Sequence, residues 1–400
     1  MKKTLIALTA LSAIVGMAQA QSTVTLYGLI DTGIGSFKTN AVVGNTIQNL
    51  TQTSIQTDGL NGSRWGMRMS EDLGGGLAAV ANLESGMAVD TGASAQGGLL
   101  FGRRANVGLS GGFGTVTMGR NSTSYDDVSA DSSVMNRTVF FDPSQTNNGP
   151  ATSVAGAPLT AVNAASLLSH GGKTWIGYQT RFNNSVKYTS PSFYGFSGSV
   201  TYALGEDKAS PAAAANASKS VSAFLKYVSG PLLVSGGYQS EAPGGTLAVG
   251  GAGTTNAAVG GVKPALENAL LSVAYDFGAV KIGAGFNRAK FKDVPAPAQL
   301  NGGVVGGSFD AQKEVSLSVA VPLGATTLSA GYAQSNGGTL GKSTGFGVQA
   351  LYALSKRTTL YAGGLSTKAY DKLAAAVVVA LPGSNIGHIT TFAAGIRHTF

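Results

Sequence analysis

The sequence predicts an all-β protein, a large antiparallel transmembrane β-barrel, and three observations carry that prediction. Only 12% of the 400 residues are charged, about half the usual share for a water-soluble chain. Beyond the N-terminal twenty residues the longest apolar run is Leu373 to Leu381, far short of the about eighteen residues that a membrane-crossing helix requires. Segments of about ten residues with period-two alternation recur along the chain, separated by turn residues. A barrel reconciles the three, because each strand shows one face to lipid and the other to water.

Taken in order, the chain opens with basic Met1-Lys2-Lys3, an apolar stretch from Leu5 to Met17, and small residues at Ala18-Gln19-Ala20. This predicts a secretory signal peptide over residues 1–20 and one barrel domain over 21–400. Without Lys2 and Lys3 the formal net charge falls from +8 to +6. The longest Lys/Arg runs are pairs, Arg103-Arg104 and Lys356-Arg357, so nucleic acid is excluded as a partner. There is no cysteine, hence no disulfide and no thiolate for metal or catalysis.

The alternation is explicit in the second half. Val221, Ala223, Leu225 and Tyr227 share a face opposite Ser222 and Lys226; Leu232, Val234, Gly236 and Tyr238 oppose Ser235, Gly237 and Gln239. Leu271, Val273, Tyr275 and Phe277 oppose Ser272 and Asp276, and Val315, Leu317, Val319 and Val321 oppose Ser316 and Ser318. An aromatic often ends the apolar face, as a ring anchored at lipid headgroups would. Short turns at 72–76, 111–114, 190–195, 229–231, 276–279, 322–325 and 354–357 take turns with long connections near 37–62, 91–98, 121–174, 205–219, 241–267, 291–312, 336–342 and 368–387. Seven short and eight long connections join sixteen strands, a size that leaves a water-filled lumen. The inward faces are Gly, Ser, Thr, Lys and Arg, which argues against a plugged, non-conducting adhesive or structural barrel. The Gly/Ala-rich stretches 209–217 and 244–262 fall where surface loops are due. The apolar run Leu373 to Leu381 is out of place in an exposed loop and is expected to fold over the rim.

Several segments resemble the Gram-negative general porins of the trimeric sixteen-stranded type, particularly the betaproteobacterial branch. Ser22 to Asp31 (STVTLYGLID) looks like the first strand; Ser63-Arg64-Trp65-Gly66 with Glu71 to Leu77 is similar to the second strand and its turn. Ala105 to Gly114 and Met118-Gly119-Arg120 resemble strands four and five, Arg181 to Pro191 strand six, and Gly395 to Phe400 (GIRHTF) the closing strand. The resemblance implies an outer-membrane homotrimer with short periplasmic turns and long extracellular loops, among outer-membrane lipid and lipopolysaccharide. It implies a passive channel for small hydrophilic solutes and ions, moderately anion-preferring and without a cofactor. Phe400 would be the signal read by the barrel-assembly machinery.

The resemblance further implies that the third loop folds into the lumen and sets Asp126, Asp127 and Asp131 against wall arginines Arg64, Arg103 and Arg181. Arginine stays charged, so clustered guanidinium groups attract anions. Alternation places Arg64 and Arg68 opposite Trp65, Met67 and Met69, and Arg181, Asn183, Ser185 and Lys187 opposite Phe182, Val186 and Tyr188. Adjacent Arg103 and Arg104 are expected to point to opposite faces, with Arg103 inward as in the resembled family. Arg68, Arg120, Arg137, Lys187 and Arg397 are further lumen candidates. A solute-specific channel is the alternative within the same class. An outer-membrane hydrolase would have only His170, His388 and His398 to draw on, with no Gly-x-Ser-x-Gly elbow near them. Asn336 to Ser343 comes close to a phosphate loop but lacks its first glycine and reads as a hairpin loop.

Overall fold

The computed structural model describes residues 22–43, 46–135, 138–144, 174–175, 177–205, 219–241, 265–292, 310–338, 341–368 and 388–400. The expected signal peptide, Arg137, His170 and the run 373–381 lie outside these residues. Within them the chain forms β1 (Thr23–Val43), β2 (Thr46–Thr57), β3 (Arg64–Gly74), β4 (Leu77–Gly86), β5 (Arg104–Gly111), β6 (Gly114–Ser122), β7 (Arg181–Thr189), β8 (Phe196–Ala203) and β9 (Ser220–Ser229). Then follow β10 (Leu232–Glu241), β11 (Ala265–Asp276), β12 (Lys281–Lys292), β13 (Gln312–Leu323), β14 (Thr326–Asn336), β15 (Lys342–Ala353), β16 (Thr358–Lys368) and β17 (His388–Thr399).

From β3 onward each strand pairs antiparallel with the next, and β17 returns to β1 over Leu29↔Thr399 to Lys38↔Thr390. On its other side β1 pairs with β3 over Thr23 to Leu29 and with β2 over Thr32 to Val43. Because β2 and β3 share one column, the seventeen strands close a sixteen-stranded barrel. Closure leaves no unpaired backbone at the seam, as a hydrocarbon surround requires.

The stretch 37–62, expected as a connection, is instead largely a hairpin made by the upper half of β1 with β2. Thr46–Thr57 (TIQNLTQTSIQT) contains neither Gly nor Pro and is rich in β-branched residues, so nothing interrupts extension. Ile34 and Ile55 pair across it on the outer face, each 58% exposed. Beyond them the outward positions become Ser36, Lys38, Thr51 and Thr53, so the hairpin leaves the apolar band at that pair.

Outward residues are the exposed aliphatics and aromatics, such as Val24, Leu26, Leu225, Leu271, Leu317 and Phe392. The seam is built the same way: Phe400 N donates to Gly28 O at 3.0 Å and Gly28 N to Phe400 O at 3.2 Å. The Phe400 ring occupies the place that a Gly28 side chain would take, so a glycine there is needed for the terminal aromatic to lie down.

The core lies inside the barrel, between the wall and the third loop. After β6, α1 (Ser124–Ser129) and a 3-10 turn (Ala130–Ser132) run along the inner faces of β8 to β12. Tyr125 N donates to Ser222 Oγ at 2.7 Å and Tyr125 Oη to Asn287 Oδ1 at 2.9 Å. Farther on, Ser316 Oγ donates to Ser132 O at 2.8 Å and Thr138 Oγ1 to Gln349 Oε1 at 2.7 Å. Leu60, Met135, Phe140, Phe141 and Tyr361 then form one buried cluster, and Tyr125, Trp175, Tyr178, Leu270 and Ala333 another. The small inward residues of β10 to β16 therefore seat this loop; only part of that small, polar face lines open water. Burial of four to five large apolar side chains in each cluster, about 1.5–3 kcal/mol apiece, fixes the loop as a partition.

Candidate functional site

The loop enters at Thr123, whose Oγ1 accepts from Asp126 N at 3.2 Å and so caps α1, with Asp126 and Asp127 in the first turn where the helix dipole favours them. Lys187 Nζ meets Asp127 Oδ2 at 2.5 Å, and Ser122 Oγ donates to Asp127 Oδ1 at 3.1 Å. Tyr178 Oη donates to Asp126 Oδ1 at 2.9 Å. Asp131, in the 3-10 turn, meets Lys226 Nζ at 3.0 Å. Asp127 and Asp131 are thus paired to wall lysines, whereas the sequence reading set them against arginines. The reason is path: α1 follows the wall over β8 to β10, which brings Lys187 and Lys226 nearest.

The arginines face the loop from β3 to β7. Register puts Leu29 and Arg64 on one face of β1 and β3, with Tyr27 beside Gly66 and Thr25 beside Arg68, all inward. Arg64 Nη1 donates to Gly62 O at 3.1 Å, and its Nε stands 3.8 Å from Glu84 Oε2. Arg103 Nε donates to Glu84 Oε1 at 2.7 Å. Arg181 Nε donates to Arg103 O at 2.9 Å, with Arg103, Arg120, Asp126 and Glu84 as its charged neighbours. Arg64, Arg103 and Arg181 are therefore brought together around one carboxylate, Glu84, which also accepts from Tyr27 Oη at 2.8 Å.

Arg103 and Arg104 both reach the lumen side. Alternation binds only residues within a strand, and Arg103 precedes β5; Arg104 is paired with inward Glu84. Phe182 also departs from the alternation: it is fully buried, not outward with Val186 and Tyr188. Asn184 adopts a left-handed φ of 48°, and the β6–β7 register shifts between Gly119 and Asn121. The resulting bulge, between Phe182 and Ser185, resets the phase of β7 there.

Of the further candidates, Arg68 stacks over the Tyr27 ring at 4.1 Å from its centroid. Arg120 is spent within the wall, donating from Nε to Gly102 O at 2.7 Å and from Nη1 to the Asn183 side chain. Arg397 Nη1 donates to Asn61 Oδ1 at 2.7 Å and so tethers the segment that follows β2. That segment is also held by Asp31, fully buried, which accepts from Leu60 N at 2.8 Å, Asn61 N at 2.7 Å and Tyr361 Oη at 2.8 Å. His398 lies on the outer face, 2.9 Å from Thr358 Oγ1, and His388 Nε2 lies 3.3 Å from Ser366 Oγ. Glu84, Arg104, Lys226 and Asp31 were not singled out from the sequence. Glu84 had a usable signal, as the single acidic residue in Leu77–Gly86 (LAAVANLESG) and in phase with Asn82.

The Gram-negative porin family model matches residues 7–371. An outer membrane porin protein of Bordetella pertussis is 34% identical over 303 residues, 72% of this chain and 69% of that protein. The fold is like that of an anion-selective porin from Comamonas acidovorans, with a TM-score of 0.69 at 24% identity over 95% of this chain and 100% of that one. It is also like the trimer form of OmpT from Vibrio cholerae, with a TM-score of 0.56 at 16% identity over 95% and 99% of the two chains.

Proposed function

The chain belongs to the Gram-negative porin family, among the betaproteobacterial general porins, and is an outer-membrane channel; from that premise we propose a passive diffusion pore with moderate anion preference, narrowed by its third loop. The observation that carries the preference is the charge distribution. On the β3–β7 side Arg64, Arg68, Arg103, Arg104, Arg181 and Lys187 outnumber Glu84, Asp126 and Asp127, while Asp131 is cancelled by Lys226. A permeating anion meets unspent guanidinium donors, and a cation meets carboxylates already engaged. Across the bore the opposed signs of wall and α1 orient water and dipolar solutes. Arg64, Arg103 and Arg181 form the basic wall and Asp126, Asp127 and Asp131 the acidic side of the constriction, with Arg68 and Lys187 below it. Arg64→Ser and Arg181→Ser, reconstituted in planar bilayers under a salt gradient, are expected to move the reversal potential toward cations. An unchanged potential in both removes these residues from the constriction.

The assembly we propose is a homotrimer through β1 to β6. Their outward faces, apart from Trp65, carry aliphatic and methionine side chains such as Val24, Leu26, Val107, Leu109 and Met118, whereas Tyr188, Tyr238, Tyr275, Tyr332 and Tyr352 sit on β7 to β15. Aromatic anchors belong at lipid headgroups, so the face without them suits a neighbouring subunit. Lipopolysaccharide would surround the remaining outer rim, and the assembly machinery would read Phe400. N-terminal sequencing of the outer-membrane form tests the processing step, with Gln21 as the expected first residue.

A further inference from the structure

Below α1, on the short-turn side, the lumen wall holds a cavity of about 490 Å³ lined by Arg68, Asn82, Arg104, Asn106, Thr117, Lys187 and Asp127 among others. It is separate from the Arg64–Arg103–Arg181 group, none of which lines it. Its cations differ from that group in one respect. Arg103 and Arg181 spend donors on Glu84 and on backbone carbonyls, whereas the guanidinium groups of Arg68 and Arg104 donate no hydrogen bond to any described residue, Arg104 feeling Glu84 and Asp127 only through space. Arg68 is held flat by the Tyr27 ring, 4.1 Å away, and Arg104 stands on β5 across from Glu84 of β4. Lys187 is neutralised by Asp127 at 2.5 Å, so the pocket presents two net positive charges, each on a planar fork.

The rest of the lining is amide and hydroxyl. Asn106 Nδ2 and Thr117 Oγ1 both donate to Asn121 Oδ1, at 2.9 and 2.8 Å, which orders that wall. Asn82 accepts from Tyr27 Oη at 3.1 Å and keeps its amide donors for the cavity. Two free guanidinium forks match the oxygens of a single dianionic phosphate, and the neighbouring amides match hydroxyl groups. We propose that this pocket is a second, periplasm-facing solute site, distinct from the constriction, that binds a phosphate group carried on a short hydroxylated skeleton. The inference rests on the channel reading of the barrel and deepens it by naming a solute class. A solute of this kind would leave the constriction into a site that holds it briefly, which favours uptake of phosphorylated polyols over simple salts.

The test is block of chloride current through the full-length trimer or monomer in planar bilayers by glycerol 3-phosphate. Added on the short-turn side, it is expected to reduce the current at millimolar concentration, and inorganic phosphate to need severalfold more. Arg104→Gln and Arg68→Gln are each expected to raise the half-blocking concentration at least fivefold, and Arg104→Lys, which keeps charge but loses the fork, to fall between. Equal block by inorganic phosphate and glycerol 3-phosphate overturns the polyol assignment. Block that survives both glutamine variants but is lost in Arg181→Gln places binding at the constriction and overturns the second site. Reversal potentials measured in the same membranes report anion preference independently, so failure of the pocket and failure of the channel reading give different records.

Discussion

Replacing Gly285 by alanine perturbs the third loop from the wall side without touching a charge. Gly285 faces inward on β12, and a Cβ there would stand 2.6 Å from Ser132 Cβ and 2.8 Å from Ser316 Oγ. Ordinary contact begins near 3.4 Å, so the 3-10 turn must move at least 0.8 Å into the bore. Ser132 cannot absorb this by a rotamer change, since its Cβ is fixed to the loop backbone and its carbonyl accepts from Ser316 Oγ at 2.8 Å. Overpacking of this kind costs about 1–3 kcal/mol, and Asp131, the next residue back, moves away from Lys226. Single-channel conductance in planar bilayers is expected to fall, further with valine and leucine in the same place, and unfolding in denaturant to shift by that free energy. Gly236→Ala is the control, on the outer face with its nearest neighbour at 3.7 Å. If alanine, valine and leucine at 285 all conduct like the Gly236 control, the loop does not bound the pore where the structure puts it.

Glu84→Gln frees Arg64 and Arg103 from their shared carboxylate; a unit charge about 7 Å from a permeating ion is worth about 0.6 kcal/mol in water, with opposite sign for chloride and potassium, so the chloride-to-potassium permeability ratio should rise about sevenfold in bi-ionic measurements. Gly28→Val sets a branched side chain where the Phe400 ring lies, and heat-modifiability on gels should show less closed barrel, with Phe400→Ala partly relieving the defect. Tyr361→Phe removes the Tyr361 donor from buried Asp31, at a cost of about 1.5–3 kcal/mol for a hydrogen bond to a charged group; stability in urea should fall by that amount while ion preference stays as in the parent.

What the sequence made legible follows the range of the interactions involved. Strand faces depend on a period of two residues, so Leu271, Val273 and Tyr275 could be assigned outward from their neighbours alone, and so could Arg64 and Arg68 inward. The path of the third loop could not be read, because it is fixed by pairs such as Tyr125 with Asn287 and Thr138 with Gln349, 162 and 211 residues apart. For the same reason inward Gly and Ser residues read simply as an open lumen, although many of them seat that loop. Phe182 was misplaced because a bulge needs only one residue in left-handed geometry, and Asn184 supplies it with no other mark in the sequence. The basic wall was legible as residue types, while Arg104 was passed over because alternation was extended to Arg103, one residue outside β5.

An open channel whose basic wall outweighs its acidic loop passes chloride more readily than potassium. This is tested most directly by the reversal potential of the purified, refolded protein in a planar bilayer separating two concentrations of potassium chloride. Stepwise conductance is expected, with a potential of the sign that marks chloride as more permeant than potassium. A potential of the opposite sign, or membranes with no stepwise conductance, would contradict it.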